Sequence, residues 1–156
     1  MRIGVISDTH GLLRPEALEA LAGVEHILHA GDLGDITILD SLRAIAPVTA
    51  IRGNVDGYGD CATLPETEAV ELGGRLFYLV HSVYDLDVNP VTAKIAVVVS
   101  GHSHRPGVER KGGVLYLNPG SAGPRRFSLP VTVAIVTLGG EIAVEIAVKI
   151  IELKLR

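Results

Sequence analysis

Residues 3–10 read Ile-Gly-Val-Ile-Ser-Asp-Thr-His, an apolar run that ends in a polar loop. The first four have the length and character of a buried strand. Two further short apolar runs follow, at 26–29 and 48–51. Apolar residues at helical spacing separate the three runs, one stripe lying between Pro15 and Gly23 and the other at 36–45. This alternation of strand and helix predicts parallel βαβ units in the first third of the chain.

The second half of the chain is rich in hairpin signals. Gly-Gly pairs are typical of two-residue turns between strands. Such pairs stand at 73–74, 112–113 and 139–140, flanked respectively by runs at 68–72 and 75–80, at 108–111 and 114–117, and at 131–138 and 141–151. A β-branched run at 95–100 predicts one more buried strand. No linker separates the halves, so we expect one domain spanning 1–156. Its predicted fold is a four-layer α/β/β/α sandwich of two mixed sheets with flanking helices.

Composition excludes several classes of function. The chain has 156 residues, with 14 Lys and Arg against 18 Asp and Glu, and a net charge of -4 disfavours a general nucleic-acid surface. One cysteine, Cys61, cannot form a thiolate metal cage, so any metal site must use His, Asp, Asn or Glu. No targeting or membrane segment is apparent. We therefore expect a cytoplasmic protein without a membrane partner.

Metal-capable side chains follow five of the predicted strands. In open α/β sheets the carboxyl ends of strands deliver their loops to one ligand-binding edge. Imidazole, carboxylate and amide oxygen together suit Mn, Fe, Zn or Ni. Each residue alone also has a structural interpretation, as a helix cap or a turn residue. The residues concerned are Asp8, His10, Asp32, Asn54, His81, His102 and His104.

The order and spacing of these motifs resemble the calcineurin-like metallophosphoesterases. The motifs are Asp8-Thr9-His10, Gly31-Asp32, Gly53-Asn54-Val55-Asp56, His81 and Gly101-His102-Ser103-His104. The short chain, with Asn118-Pro119-Gly120-Ser121 after the last motif, is similar to the compact prokaryotic, YfcE-like phosphodiesterase branch.

The resemblance implies a dinuclear centre, two divalent metals of which manganese is the first choice and Ni, Zn or Fe are alternatives. One metal would be held by Asp8, His10 and His104, and the other by Asn54, His81 and His102, with Asp32 bridging. A hydroxide held between the metals would attack a phosphodiester in line, so that no protein nucleophile is needed. Asp32, Asn54 and His81 are the residues assigned here to the catalytic step.

The sequence departs from the family pattern at two places. Larger members carry a histidine after the Gly-Asn pair, thought to protonate the leaving group, where this chain has Val55. Without that acid, activated or metal-assisted phosphodiesters become the expected substrates. Ser82 and Tyr84 stand where the family usually has glycine and a second histidine.

Other polar residues receive supporting roles or none. His26 and His29 are interpreted as non-ligands, with His29 packing in its strand or orienting Asp32. Asp56 is either a turn carboxylate or a hydrogen-bond partner of a ligand histidine. Asn118 and Ser121 are expected to shape the loop beside the site. The Arg125-Arg126 pair either belongs to a solvated loop or binds phosphate, and Cys61 is expected to be inert.

A second class of function competes with the enzyme. A metallophosphoesterase-like protein of the eukaryotic retromer resembles this family but serves as a protein-binding scaffold. That alternative predicts eroded ligands, whereas all seven positions hold donors here. The favoured partner is a small phosphodiester, with no stable nucleic-acid binding. A homo-oligomer is possible through the edge strand predicted at 141–151.

Overall fold

The computed structural model describes residues 1–139 and 145–156. Strands dominate this part of the chain, and the helices are short. The strands are β1 (Arg2–Ile6), β2 (His26–His29), β3 (Val48–Ala50), β4 (Thr67–Leu72), β5 (Arg75–Val80), β6 (Val97–Val99), β7 (Gly107–Lys111), β8 (Val114–Asn118), β9 (Thr132–Leu138) and β10 (Ile146–Glu152). The α-helices are α1 (Pro15–Ala20) and α2 (Thr37–Arg43), and 3-10 turns cover Asn54–Asp56, Asp60–Thr63 and Val83–Asp85.

The strands form two mixed five-stranded sheets. The first has the order β10-β9-β1-β2-β3, in which β1, β2 and β3 are parallel, β9 is antiparallel to β1, and β10 is antiparallel to β9. The second has the order β4-β5-β6-β8-β7, with a parallel centre and an antiparallel strand at each edge. The predicted βαβ units and the two mixed sheets are therefore confirmed.

The main core lies between the two sheets. Ile3, Val5 and Leu28 of the first sheet pack with Phe77 and Val99 of the second, and all are fully buried. Because side chains alternate along a strand, Ile6 of β1 faces the opposite way and joins a second cluster with α1 and α2. Both faces of β1 are thus covered, which explains its uninterrupted apolar sequence.

The outer layers differ from each other. Helices α1 and α2 cover the first sheet through Ala17, Leu21 and Leu42. Over the second sheet the described chain has only the Val83–Asp85 3-10 turn and irregular segments after it. Leu86 and Val88 supply the apolar cover there. The side chain of Asn89 accepts the backbone N–H groups of Val91 and Thr92, and the N–H of Ala93 donates to Asn89 O, which together close a local turn.

Two hairpins match the Gly-Gly signals, and the third does not. Leu72 pairs with Arg75 and Lys111 with Val114, which places two residues in each turn. β9 and β10 do pair, but Leu138 lies opposite Ile146. The predicted two-residue turn at 139–140 is therefore wrong, because that turn would pair 138 with 141. The predicted strand at 141–151 starts at Ile146 in the described chain, and residues 140–144 lie outside the described residues.

In the described ranges, no helix combines the length and apolarity needed to cross a bilayer.

Candidate metal centre

Backbone hydrogen bonds tie the loops after the parallel strands into one platform. Beyond the ends of β1 and β2, the N–H of Asp8 donates to Gly31 O at 3.0 Å, and that of His10 to Asp32 O at 2.9 Å. In the second sheet, the N–H of Gly101 donates to His81 O at 2.9 Å. These bonds involve the backbone of Asp8, His10, Asp32 and His81, and His102 follows the paired Gly101.

The structure brings six predicted residues together as two triads. We call Asp8, His10 and His104 the first triad, and Asp32, His81 and His102 the second triad; within each, one potential ligand atom per residue lies within 4.8 Å of the others. The two triads adjoin, since Oδ2 of Asp32 lies 3.5 Å from Nε2 of His10 and 3.2 Å from Nε2 of His81. Asp32 therefore stands between a histidine of each triad.

The spacing around Asp8 is that of ligand atoms sharing an ion. Its Oδ1 lies 3.7 Å from Nε2 of His10, 3.5 Å from Nε2 of His104 and 3.8 Å from Nε2 of His81. Two atoms that each bind an ion at ~2.1 Å can be at most ~4.2 Å apart. The distances from Asp8 and Asp32 to these histidines all satisfy that bound.

Several polar atoms of these triads have no hydrogen-bond partner among the described residues. They include Oδ1 of Asp8, Nε2 of His10 and Nε2 of His81, all buried. Nδ1 of His104 is also buried and has no hydrogen-bond partner among the described residues. It is the ring nitrogen that does not face Asp8, since Nε2 of His104 does. An unpartnered buried carboxylate or imidazole atom is costly. Divalent cations held by the two triads would satisfy Oδ1 of Asp8 and Nε2 of His10 and of His81, and the Asp and His donor set suits such ions.

The second oxygen of Asp8 is held by the protein. Oδ2 accepts the Ser7 hydroxyl at 2.7 Å and the backbone N–H of His102 at 3.1 Å. These bonds orient the carboxylate so that Oδ1 points at the histidines. Burial acts to raise the pKa of Asp8, but its interactions with His10 and Ser7 outweigh that effect, and the net pKa lies below the ordinary value. Asp8 is therefore ionised, as a ligand must be.

Asp32 is oriented in the same manner from the loop after β3. Its Oδ1 accepts the backbone N–H of Val55 at 3.0 Å, which leaves Oδ2 toward the histidines. Burial opposes ionisation, yet the approach of His81 and the Val55 N–H lower the pKa of Asp32 to about 2. Val55, which lacks the acid of larger family members, thus contributes its backbone to the site.

Hydrogen bonding selects the tautomer of His81. Its Nδ1 lies 2.7 Å from the carbonyl oxygen of Ala30. A carbonyl oxygen only accepts, so Nδ1 carries the proton and the lone pair of the neutral ring is on Nε2, facing Asp32. Burial acts to lower the pKa of His81, but the Asp32 carboxylate more than compensates and the pKa is raised. This arrangement is typical of metal-binding histidines.

The backbone at these positions is strained. A left-handed conformation is uncommon for a residue with a side chain and costs about 1 kcal/mol. Five members of the two triads adopt it: Asp8 (φ 55°), His10 (φ 45°), Asp32 (φ 57°), His102 (φ 68°) and His104 (φ 61°). The loops that carry the candidate ligands are thus held in geometry that the isolated chain disfavours.

The exposed His102 offers a clean test of this strain. His102→Gly is expected to raise the free energy of unfolding of the metal-free protein by about 1 kcal/mol, because glycine adopts positive φ freely. His102→Ala keeps the Cβ that disfavours positive φ, so it should not raise the free energy of unfolding. Urea unfolding in the presence of a chelator measures both, and equal stabilities for the two variants would contradict the assignment of strain.

His29 connects two of the ligand-bearing loops. It is fully buried; its Nδ1 accepts the N–H of Gly31 at 3.1 Å, so its Nε2 carries the proton that reaches the Thr9 hydroxyl at 3.1 Å. The Thr9 hydroxyl in turn donates to Leu33 O at 3.0 Å. The interpretation of His29 as a non-ligand is thus consistent with its contacts, but its hydrogen bonds go to Gly31 and Thr9 rather than to Asp32.

Burial lowers the pKa of His29 from 6.5 to about 4. Between these values the unfolded chain binds a proton that the folded protein does not, so stability must fall as the pH falls. Because one pKa unit corresponds to 1.36 kcal/mol, the free energy of unfolding should decrease by about 3 kcal/mol between pH 6.5 and pH 4. His29→Gln keeps a donor and an acceptor without titrating. The free energy of unfolding of the metal-free wild type should therefore fall more steeply with pH than that of His29→Gln, and parallel curves would contradict this.

Asp56 is a structural clamp between two loops. Its carboxylate is buried and accepts three backbone N–H groups, from Leu33 at 3.1 Å, Gly34 at 3.1 Å and Gly53 at 2.9 Å. These bonds join the loop of Asp32 to the loop of Asn54. The sequence left two roles open for Asp56, and the structure shows the first, a turn carboxylate.

Asn54 lies at the side of the second triad. It begins the 3-10 turn after Gly53, is exposed, and lines a cavity of about 300 Å³ together with His81. The structure thus places it near the second triad, and its role as a ligand stays a prediction.

The remaining loop residues behave largely as expected. The side chain of Asn118 donates to Gly101 O at 3.0 Å, and Ser121 Oγ donates to Asp8 O at 3.0 Å, so both shape the loops beside the site. Burial raises the pKa of the Cys61 thiol, which keeps it protonated. Burial and the charge of Arg126 lower the pKa of His104, so Arg126 acts electrostatically on the first triad.

Sequence patterns could not reveal the strained backbone, the His29 bonds or the Asp56 clamp. The one available signal was that His29 and Asp56 are polar residues next to candidate ligand motifs. The spacing of residues along the sequence does not specify the hydrogen-bond partners of His29 and Asp56, nor the sign of φ at the candidate ligands.

Comparison with known proteins identifies the family of this chain. The model of the calcineurin-like phosphoesterase superfamily domain matches residues 1–141. A probable metallophosphoesterase of Methanothermobacter thermautotrophicus is 37% identical over 153 residues, covering 90% of this chain and 88% of that protein. The phosphodiesterase YfcE of Escherichia coli K12 is 27% identical over 145 residues, covering 78% of this chain and 79% of that protein.

Solved structures show the same fold. An archaeal phosphodiesterase, 25% identical, has a TM-score of 0.76 over 97% of this chain and 100% of its own. Vps29 of Chaetomium thermophilum, 20% identical, has a TM-score of 0.77 over 97% of both chains, which shows a shared fold alone. The family model covers most of the sequence, and together with the relatives it confirms the predicted resemblance: this chain belongs to the calcineurin-like phosphoesterase superfamily.

Proposed function

We propose that this protein is a metal-dependent phosphodiesterase with a dinuclear centre. The observation that carries the proposal is the meeting of two His and Asp triads at Asp32, with unpartnered buried atoms converging between them. Asp8, His10 and His104 would hold one divalent ion, and Asn54, His81 and His102 the other. Asp32 would contact both. Membership of a family of metallophosphoesterases supports a hydrolase of this kind.

Two bound divalent ions would acidify a water molecule and neutralise charge on the phosphoryl oxygens. The chain's own residues prepare the site for this. Ser7 and the N–H of His102 fix Asp8, the N–H of Val55 fixes Asp32, and Ala30 O fixes the His81 ring. Preorganisation of this sort lowers the reorganisation needed during reaction. Asp32, Asn54 and His81 are the residues we assign to this step.

The leaving group constrains the substrate. Val55 offers no proton, and its backbone N–H is already bonded to Asp32. An alcohol of high pKa would depart slowly without an acid. We therefore infer that activated diesters, or diesters whose leaving oxygen is itself stabilised at the centre, are the better substrates. Manganese is our first choice of metal, with Ni, Zn and Fe as alternatives, since the oxygen and imidazole donors accept all four.

The test combines metal content with turnover. We expect elemental analysis of purified protein to find about two divalent ions per chain, and manganese to support hydrolysis of bis-p-nitrophenyl phosphate. Chelation should remove activity and manganese should restore it. Metal without turnover, with any of the four ions, would contradict the proposal and favour a passive metal-binding module.

A further inference from the structure

β10 is an open edge of the first sheet and lacks the features that usually protect such an edge. In the described chain the two sheets end in β10, β3, β4 and β7. Short length and charged side chains keep an edge strand from pairing with another chain. β3 has only three residues, β4 carries Glu68 and Glu71, and β7 ends in Glu109-Arg110-Lys111. β10 is the longest of the four, with the sequence Ile-Ala-Val-Lys-Ile-Ile-Glu.

The backbone of β10 points alternately toward β9 and toward the open side. The N–H of Gly139 donates to Glu145 O at 3.1 Å and that of Leu153 to Val131 O at 2.8 Å, and both pairs continue the register of β9 with β10. Bonded and non-bonded pairs alternate in an antiparallel ladder, so the odd-numbered residues of β10 bond to β9. The N–H and C=O groups that point away from β9 are those of Ile146, Val148, Ile150 and Glu152.

Three of these outward residues also leave the inter-sheet core incompletely covered. The side chains of Ile146, Val148 and Ile150 pack against that core, yet each is only partly buried. The Arg110 guanidinium of β7 donates to Ile146 O at 3.1 Å, which agrees with an outward direction for this carbonyl. An edge that offers both free backbone groups and apolar side chains is a template for another strand.

We propose that this edge pairs with β10 of a second copy of the chain, so that the first sheets of the two copies join into one sheet of ten strands. A two-fold axis perpendicular to the sheet makes the two strands antiparallel and sets Val148 opposite Val148 of the second copy. Ile146 then lies opposite Ile150 of the second copy, and their outward N–H and C=O groups form bonded pairs. A carbonyl oxygen has two lone pairs, so Ile146 O keeps its bond to Arg110.

This register is the one that the side chains favour. It opposes an apolar side chain to each of the three that face the inter-sheet core, which completes the cover of that core. On the other face it sets the exposed Ala147 opposite Lys149 of the second copy. A register centred one residue further along would instead set Lys149 opposite Lys149, and like charges directly opposite destabilise a sheet.

The two pairs of Ala147 with Lys149 provide a test by charge. Ala147→Lys should raise the dissociation constant of the dimer about fivefold, whereas Ala147→Glu should lower it about fivefold, because each variant changes two cross-strand pairs. Val108→Lys adds the same charge to the exposed edge strand β7 and should leave the constant unchanged. Sedimentation equilibrium of the purified proteins measures all four constants. A wild type that stays monomeric up to about 1 mM, or a dimer that neither Ala147 variant changes, would overturn the proposal.

Val148→Pro tests the backbone pairing. The Val148 N–H points away from β9, so proline removes no ladder bond within the chain, and proline is tolerated on edge strands. This variant should lose the dimer, and urea unfolding shows whether it is folded. A folded Val148→Pro variant that dimerises as wild type does would contradict the pairing.

Amide hydrogen exchange of the wild type tests the pairing without any substitution. Raising the protein concentration should remove the fast exchange of the N–H groups at 146, 148 and 150, which only the dimer protects, and leave those at 147, 149 and 151 unchanged. A dimer in which the three outward groups still exchange fast is formed by another surface and would refute the proposal.

Discussion

Asp32→Ala is expected to lower kcat/KM for bis-p-nitrophenyl phosphate by roughly 10³-fold or more, because contact with two cations is worth several kcal/mol and each tenfold in rate is 1.36 kcal/mol. Oδ2 of Asp32 lies between histidines of both triads, at 3.2 and 3.5 Å. Asp8 also approaches histidines of both triads, but its Oδ1 lies farther from the same two rings, 3.7 Å from Nε2 of His10 and 3.8 Å from Nε2 of His81. Metal content should fall below two ions per chain in the same variant.

The variant must be shown to fold, and the chain provides a control. Asp35→Ala, three residues away, removes an exposed carboxylate whose described bonds go to Thr37. It should retain activity and both metals. Asp32→Asn preserves the acceptor for the Val55 N–H and tests the charge without a cavity. Wild-type turnover by folded Asp32→Ala would refute the proposed centre, and His104→Ala gives an independent second test.

Gly53→Ala is expected to lower the free energy of unfolding by about 3 kcal/mol. A Cβ at Gly53 would overlap Oδ1 of Asp32 and would lie 2.5 Å from Asp32 N and 2.9 Å from Asp32 Cγ. Its φ of -110° is open to alanine, so the cost comes from contact rather than from backbone conformation. Since the backbone N of Asp32 cannot move away freely, the ligand loop itself must shift, and activity should fall with stability.

Gly57→Ala is the matched control for this substitution. Gly57 lies four residues further along with φ -71°, and a Cβ there meets no atom within 4 Å. Alanine at 57 should leave stability unchanged or raise it by about 0.5 kcal/mol, by restricting the unfolded chain. Urea unfolding of the metal-free proteins measures both. A Gly53→Ala variant as stable as Gly57→Ala would contradict the close contact between Gly53 and Asp32.

Much of the fold could be predicted because the pattern of apolar residues along the sequence reflects which faces of each strand and helix are buried. β1 is covered on both faces, so its run from Ile3 to Ile6 is continuously apolar, and the Gly-Gly pairs at 73–74 and 112–113 sit in two-residue turns. The predicted two-residue turn after β9 is wrong because a Gly-Gly pair permits a tight turn without requiring one. The pairing of Leu138 with Ile146 is decided by packing of Ile146 and Val148 on the inter-sheet core.

The sequence by itself predicted six side chains that the fold brings together as the two triads. Asp8, Asp32, His81 and the His102–His104 pair each follow an apolar run, and parallel strands deliver such residues to one edge of a sheet. It could not determine their geometry. The left-handed backbone of five triad members and the tautomer of His81 depend on contacts between segments far apart in the chain. The spacing of the motifs predicts which residues lie at this edge of the sheets. The orientation of each ligand atom is set by hydrogen bonds from other loops, and these bonds form only when both sheets are packed together.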